Sequence, residues 1–203
     1  MRVEIDHLVV VARWLGEGID AVEHALGVDM SPGGQHVAMG THNKLLNLGP
    51  GCYLEVISVA PDAPTPGRAR WYGLDTMAGP PRLGAWVART IDIAALQPEM
   101  PSGLGPALEL SRGDLRWTTT VPTSGVLPFD GVFPALIDWG LTPHPSHALT
   151  DFGFRLAELE ITVPEPEAYT AALGPLRDLP LTVRRGMTGL RAVIDTPNGA
   201  VIL

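Results

Sequence analysis

The chain has 203 residues, 45% of them hydrophobic, enough for one domain with a sizeable core or for a few small repeated modules. With 14 Lys+Arg against 22 Asp+Glu, its net charge of −8 excludes a nucleic-acid or anionic-membrane surface built on clustered positive charge. The single cysteine, Cys52, excludes an intramolecular disulfide framework and fits a reducing compartment.

VEIDHLVVVA (3–12) is rich in β-branched residues and predicts a strand. Its apolar run is too short to span a bilayer and lacks the basic start and cleavage site of a signal peptide, so a cytoplasmic location is expected. In WLGEGIDAVEHALG, Leu15, Ile19, Val22 and Leu26 form one helical stripe, and Gly27 offers a C-cap. GQHVAMG, THNKLLNLG and CYLEVISVA follow as short strands bounded by Gly or Pro, with Gly33-Gly34 read as hairpin chemistry. Residues 1–60 therefore read β-α-β-β-β. Residues 61–82, rich in Pro and Gly, read as a connecting loop.

A second unit of the same order, 83–140, runs through LGAWVART, a short helix in DIAALQPEM cut by Pro98, and the strands PALELSR, LRWTTTVP and FPALIDWG. LTPHPSHALTDFG falls in a loop, 141–155. A third unit, 156–203, has the strand LAELEITVP, the helix EPEAYTAALGPL and the strands LTVRR, LRAVIDTP and AVIL. A strand-helix pair with a trailing meander buries one sheet face, so a unit should pair with another. Which two pair is left open.

The opening IDHLVVVARWLGEGIDAVEHALGV resembles the first strand and helix of the vicinal oxygen chelate superfamily. GTHNKLLNLGPGCYLEVI, with FPALIDWGLTPHP, is similar to its glyoxalase-like domain branch. The resemblance implies an α+β fold of repeated βαβββ modules forming curved antiparallel sheets around a cup, with a third βαβ-type unit at the C-terminus. It also implies a metal in the cup, held from the first and last strands of paired modules. Position by position, His7 matches the first-strand ligand and Glu55 the fourth-strand ligand of module one. Strand parity agrees, since His7 shares a face with Ile5 and Val9, and Glu55 shares one with Tyr53 and Ile57.

Module two departs from the pattern. Ala85 stands at the ligand position beside Trp86, and Asp138 is the nearest carboxylate in its last strand. Glu158 aligns with His7 in the third unit, while Leu203 occupies the closing carboxylate position. With His42, the pair His7 and Glu55 would make a two-His, one-carboxylate set suited to Fe, Mn, Zn or Ni. Such a site would act on vicinal oxygens as an isomerase, lyase or dioxygenase. Glu55 and Glu158 are then the candidate catalytic carboxylates, and His42, Asn43, Trp117, Asp138 and Trp139 candidate substrate contacts, with Phe133 as a further wall.

Plainer readings stand beside these. His42 and Asn43 satisfy backbone near a turn, and Glu55 pairs with an arginine. His144 and His147 lie exposed in a loop or at a rim, His24 and His36 are surface or structural, and the Trp residues fill the core. Cys52 reads as a small buried thiol. The corresponding alternatives to an enzyme are a metal-free protein that binds or sequesters a small molecule, and an inactive relative. Small molecules, not nucleic acid or membranes, are the partners expected. A homodimer follows if the open sheet closes through a second chain.

Overall fold

The computed structural model describes residues 3–203. It is a mixed α+β molecule with one eight-stranded and one four-stranded sheet. Module one comprises β1 (Glu4–Val11), α1 (Leu15–Leu26), β2 (Ser31–His36), β3 (Thr41–Asn47) and β4 (Tyr53–Val59). Module two comprises β5 (Arg82–Arg89), α2 (Ile93–Leu96), β6 (Ala107–Arg112), β7 (Leu115–Thr120) and β8 (Ala135–Asp138). The third unit comprises β9 (Arg155–Val163), α3 (Pro166–Leu173), β10 (Leu181–Arg185), β11 (Gly189–Thr196) and β12 (Gly199–Ile202).

The large sheet runs β2-β3-β4-β1-β5-β8-β7-β6, so modules one and two pair with each other. Their first strands join antiparallel, while β4 lies parallel to β1 and β8 parallel to β5. The sheet curls until its two edge strands, β2 and β6, come within contact. One chain therefore completes the cup, and a second copy is not needed to close it.

β1 is buried along nearly its whole length because both of its faces are covered, which is why it reads as a continuous apolar run. α1 covers the outer face. Its Gly18 lies so close to the sheet that a Cβ there would stand 2.5 Å from Val56 Cγ1. Gly27 ends the helix in the left-handed region, φ 71°, and returns its N–H to Glu23 O.

β2 ends at His36, short of the sequence reading, because Val37–Met39 turn as a 3-10 helix. α2 is a single turn, capped by Asp92, whose Oδ1 accepts the Ala95 N–H at 2.9 Å. The segment 61–82 holds a 3-10 stretch, Trp71–Thr76, that packs against the cup.

The third unit forms its own sheet, β10-β9-β11-β12, with β9 and β10 parallel as in a βαβ crossover. That order differs from the first two modules, where the strand after the helix lies at the far edge. The third unit is anchored to module two through Val132 O, which accepts from both Tyr169 Oη and Trp86 Nε1 at 2.9 Å. Phe133 packs there against Phe129 and Tyr169, so it is core and not a wall of the cup. No helix among the described residues is long and apolar enough to cross a membrane.

Candidate active site

The hollow of the cup is narrow, a cavity of about 30 Å³, and is formed by both modules of the large sheet. His7 on β1 and Glu55 on β4 both line it, as shared parity requires, with His7 Nε2 3.7 Å from Glu55 Oε2. That separation is too long for a hydrogen bond and too short to admit an atom between them. An atom resting over the pair, on the side of the hollow, touches both. The Tyr53 ring stacks flat on the His7 imidazole, centroids 4.5 Å apart, and fixes its plane.

Strand alternation would send Asp6 to the face opposite His7. A β-bulge prevents this. In the β1/β5 ladder Ile5 pairs with Ala88 and His7 with Val87, which leaves Asp6 as the extra residue. Its fully buried carboxylate turns to meet His7 Nδ1 at 2.6 Å. The other oxygen, Oδ2, accepts from Trp139 Nε1 at 3.0 Å and from Arg89 Nη1 at 3.4 Å, and it meets His144 Nε2 at 3.0 Å. Burial alone would raise the Asp6 pKa, but its hydrogen bonds with His144 and His7 outweigh burial and hold it well below the usual carboxylate range.

An ionised Asp6 has no hydrogen to give, so the Nδ1 of His7 carries the proton. In the neutral ring, Nε2 is therefore the atom with the lone pair, and it faces Glu55. His144 is oriented in turn: the Ser146 N–H donates to its Nδ1 at 3.2 Å, leaving Nε2–H for Asp6.

Glu55 is held from its other side. Asn43 Nδ2 donates to Glu55 Oε1 at 2.5 Å, and Asn43 Oδ1 accepts from Arg112 Nη1 at 2.7 Å and from Gly34 N at 2.8 Å. Arg112 also donates to His36 Nε2 at 3.3 Å, and His36 Nδ1 meets Thr41 Oγ1 at 3.1 Å. Burial first, then the Arg112 charge, pushes the His36 pKa down to about 3, so His36 is neutral. Gly33 and Gly34 lie inside β2 at a register shift and do not form a hairpin turn. They are glycines for space: a Cβ at Gly33 would stand 2.2 Å from Asn43 O, and one at Gly34 2.8 Å from Arg112 Cδ.

The remaining sequence candidates divide. Trp117 and Trp139 line the hollow, and their rings pack at 5.5 Å. His42 is on the outer face of β3, where its Nε2 bonds Ser58 Oγ at 2.8 Å, so it does not join His7 and Glu55. Asp138 turns away, since alternation gives the hollow to Ile137 and Trp139, and its Oδ1 accepts the Gly140 N–H. Glu158 belongs to the second sheet, where it accepts from Thr182 Oγ1 at 3.0 Å. Asp6, Arg112, His36 and His144 join the site without a place among the sequence candidates. The adjacency of Asp6 to His7 is the one sequence signal available for any of them.

The donor set does not fit a first-row divalent ion. Such sites take three or four N, O or S ligands. Here His7 and Glu55 supply two. On the module-two side Ala85, opposite Val9 in the ladder, offers a methyl, and Ile137 is apolar. The Arg112 cation already stands behind the Glu55 clamp. Among the described residues no group of three or more His, Cys, Asp or Glu side chains is placed to hold a metal.

A family model described as glyoxalase-like domain matches residues 5–176. The chain is similar to the crystal structure of a hypothetical protein from Staphylococcus aureus, with 15% identity over 93% of this chain and 88% of that one, TM-score 0.60. It is more distantly similar to a methylmalonyl-CoA epimerase of Streptomyces coelicolor in complex with 2-nitronate-propionyl-CoA, with 16% identity over 66% of this chain and 96% of that one, TM-score 0.44. A Mycobacterium tuberculosis methylmalonyl-CoA epimerase gives 17% identity over 71% of this chain and 91% of that one, TM-score 0.43. At these identities the likeness is one of fold alone. No curated protein matches the chain by sequence.

Proposed function

Because the chain belongs to the glyoxalase-like domain family of the vicinal oxygen chelate superfamily, we propose that its hollow is the active site of a small-molecule enzyme working by proton transfer. The observation that supports this is the convergence of His7 Nε2 and Glu55 Oε2, 3.7 Å apart in a buried site, with Asp6 fixing the His7 tautomer.

A substrate C–H or O–H that reaches these two atoms gives its proton to His7 Nε2 or Glu55 Oε2, and the same proton is then returned to another carbon or oxygen of the substrate. Asp6 keeps the His7 lone pair on Nε2 and stabilises the imidazolium as it forms. Asn43 holds Oε1 of Glu55, leaving Oε2 for the substrate. Trp117, Trp139 and Tyr53 exclude water, which strengthens each of these interactions. Isomerase and lyase chemistry needs only this relay. Dioxygenase chemistry calls for a redox metal and finds too few ligands here. A second reading, a binding or sequestering protein, draws on the same aromatic walls.

Deuterium exchange separates the two. The protein is incubated in D2O with small 2-hydroxy and 2-oxo carboxylates, and C–H to C–D exchange is followed by NMR. The enzyme reading expects exchange that falls by about 10²- to 10⁴-fold in His7→Gln and in Glu55→Gln. Saturable binding with no exchange above buffer leaves the binding protein instead.

A further inference from the structure

Two side chains at the hollow keep hydrogen-bond donors that meet no acceptor among the described residues. Arg112 reaches it from the edge strand of module two. Its Nη1 directs both hydrogens into the protein, to Asn43 Oδ1 at 2.7 Å and to His36 Nε2 at 3.3 Å. Nη2 and Nε make no hydrogen bond among the described residues. Trp71, 5% exposed, lines the same hollow, and its buried Nε1–H has no acceptor among the described residues. A buried donor left unpaired is costly, and native proteins rarely keep one without a use.

His36 brings the two together. The Trp71 ring packs edge-on against it, centroids 5.0 Å apart at 84°, and Arg112 Nη1 bonds its Nε2. Both His36 nitrogens are engaged, by Thr41 and by Arg112, so His36 neither adds a charge nor takes up a ligand. Trp71, with its unpaired indole N–H, and Arg112, with an unused guanidinium edge, thus both stand against His36 on the lining of the hollow. A planar anion with two acceptor oxygens matches that pair, and an arginine fork recognises a carboxylate in this way.

We infer that Trp71 Nε1–H and the free side of the Arg112 guanidinium form the recognition site for a carboxylate on the substrate. The inference rests on the proton-transfer reading in one respect: the carboxylate sits beside His36, and the adjacent oxygen-bearing carbon then points to His7 and Glu55. The substrate class is a small 2-hydroxy or 2-oxo carboxylate. Its carboxylate is gripped by protein donors, and its 2-oxygen lies toward His7 and Glu55.

The test is calorimetric titration of the intact chain with glycolate and pyruvate, against glycolamide and inorganic phosphate. Glycolate or pyruvate should bind saturably and more tightly than glycolamide or phosphate. Trp71→Phe keeps the ring and removes the N–H, and affinity should fall by about 3- to 10-fold. Arg112→Lys keeps a charge but loses the fork, and affinity should fall by about 10-fold or more. Melting curves identify any variant that fails to fold, and the other variant then decides.

Equal binding of glycolamide, tighter binding of phosphate, unchanged affinity in a folded variant, or no carboxylate binding at all overturns the inference. Carboxylate binding without deuterium exchange leaves it standing and removes the proton-transfer reading. Exchange that depends on His7 and Glu55 but not on Trp71 or Arg112 does the reverse.

Discussion

Replacing Asp6 by Asn removes one charge and almost no volume at the most heavily bonded point of the site. Four side chains converge on the carboxylate: His7 on one oxygen, and Trp139, His144 and Arg89 on the other. An amide can keep an oxygen toward only one of these groups. If it faces the three, its NH2 confronts His7 Nδ1–H, and the ring must move its proton to Nε2, which removes the lone pair from the hollow. Breaking a buried charge network from one side costs about 3–5 kcal/mol.

The pH dependence gives the sharper test. The Asp6 pKa in the folded chain lies below the ordinary 3.8, so its stabilisation is complete above 3.8 and is lost as pH falls toward the folded value. Between 3.8 and that lower value the unfolded carboxyl takes up a proton and the folded one does not. The advantage of the native chain over Asp6→Asn then shrinks by about 1.4 kcal/mol per pH unit. Urea denaturation of both proteins at pH 5 and pH 3, both below the ordinary histidine range, should therefore give a gap about 1 kcal/mol smaller at the lower pH. The same gap at both values would refute an ionised Asp6, and with it the assigned His7 tautomer.

Three further outcomes follow from particular contacts. His42→Ala loses the bond to Ser58 on the outer face, so urea denaturation should show a loss of about 0.5–1.5 kcal/mol, with deuterium exchange unchanged. Gly34→Ala places a methyl against the Arg112 stem, so titration should show weaker carboxylate binding while stability changes by about 1 kcal/mol or less. Dialysis against EDTA should leave melting temperature and exchange unaltered. Added Mn, Fe, Ni or Zn should give no stabilisation, whereas a true site at 100 times its Kd would add about 2.7 kcal/mol.

His7 and Glu55 are singled out in the sequence by the resemblance to the superfamily, and strand parity, which is local, agrees: alternate residues share a face, and both sit among apolar neighbours on their strands. The histidine-carboxylate grouping misleads at His42, whose neighbour Asn43 holds the inward position on β3. Parity also hides Asp6, because a bulge is settled by how β5 registers against β1 and not by the residues of β1 alone. The loop 61–82 reads as a connector from its Pro and Gly content, yet it delivers Trp71 to the hollow.

What the amino-acid order determined by itself was the succession of elements and their amphipathic faces, both of which depend on near neighbours in the chain. Tertiary structure decided which modules pair, why the third unit stands apart, and which polar groups meet. Arg112 reaches Asn43 across 69 positions, and His144 reaches Asp6 across 138. Contacts of that span arise only when the curled sheet brings its edge strands and loops together, and no local pattern encodes them.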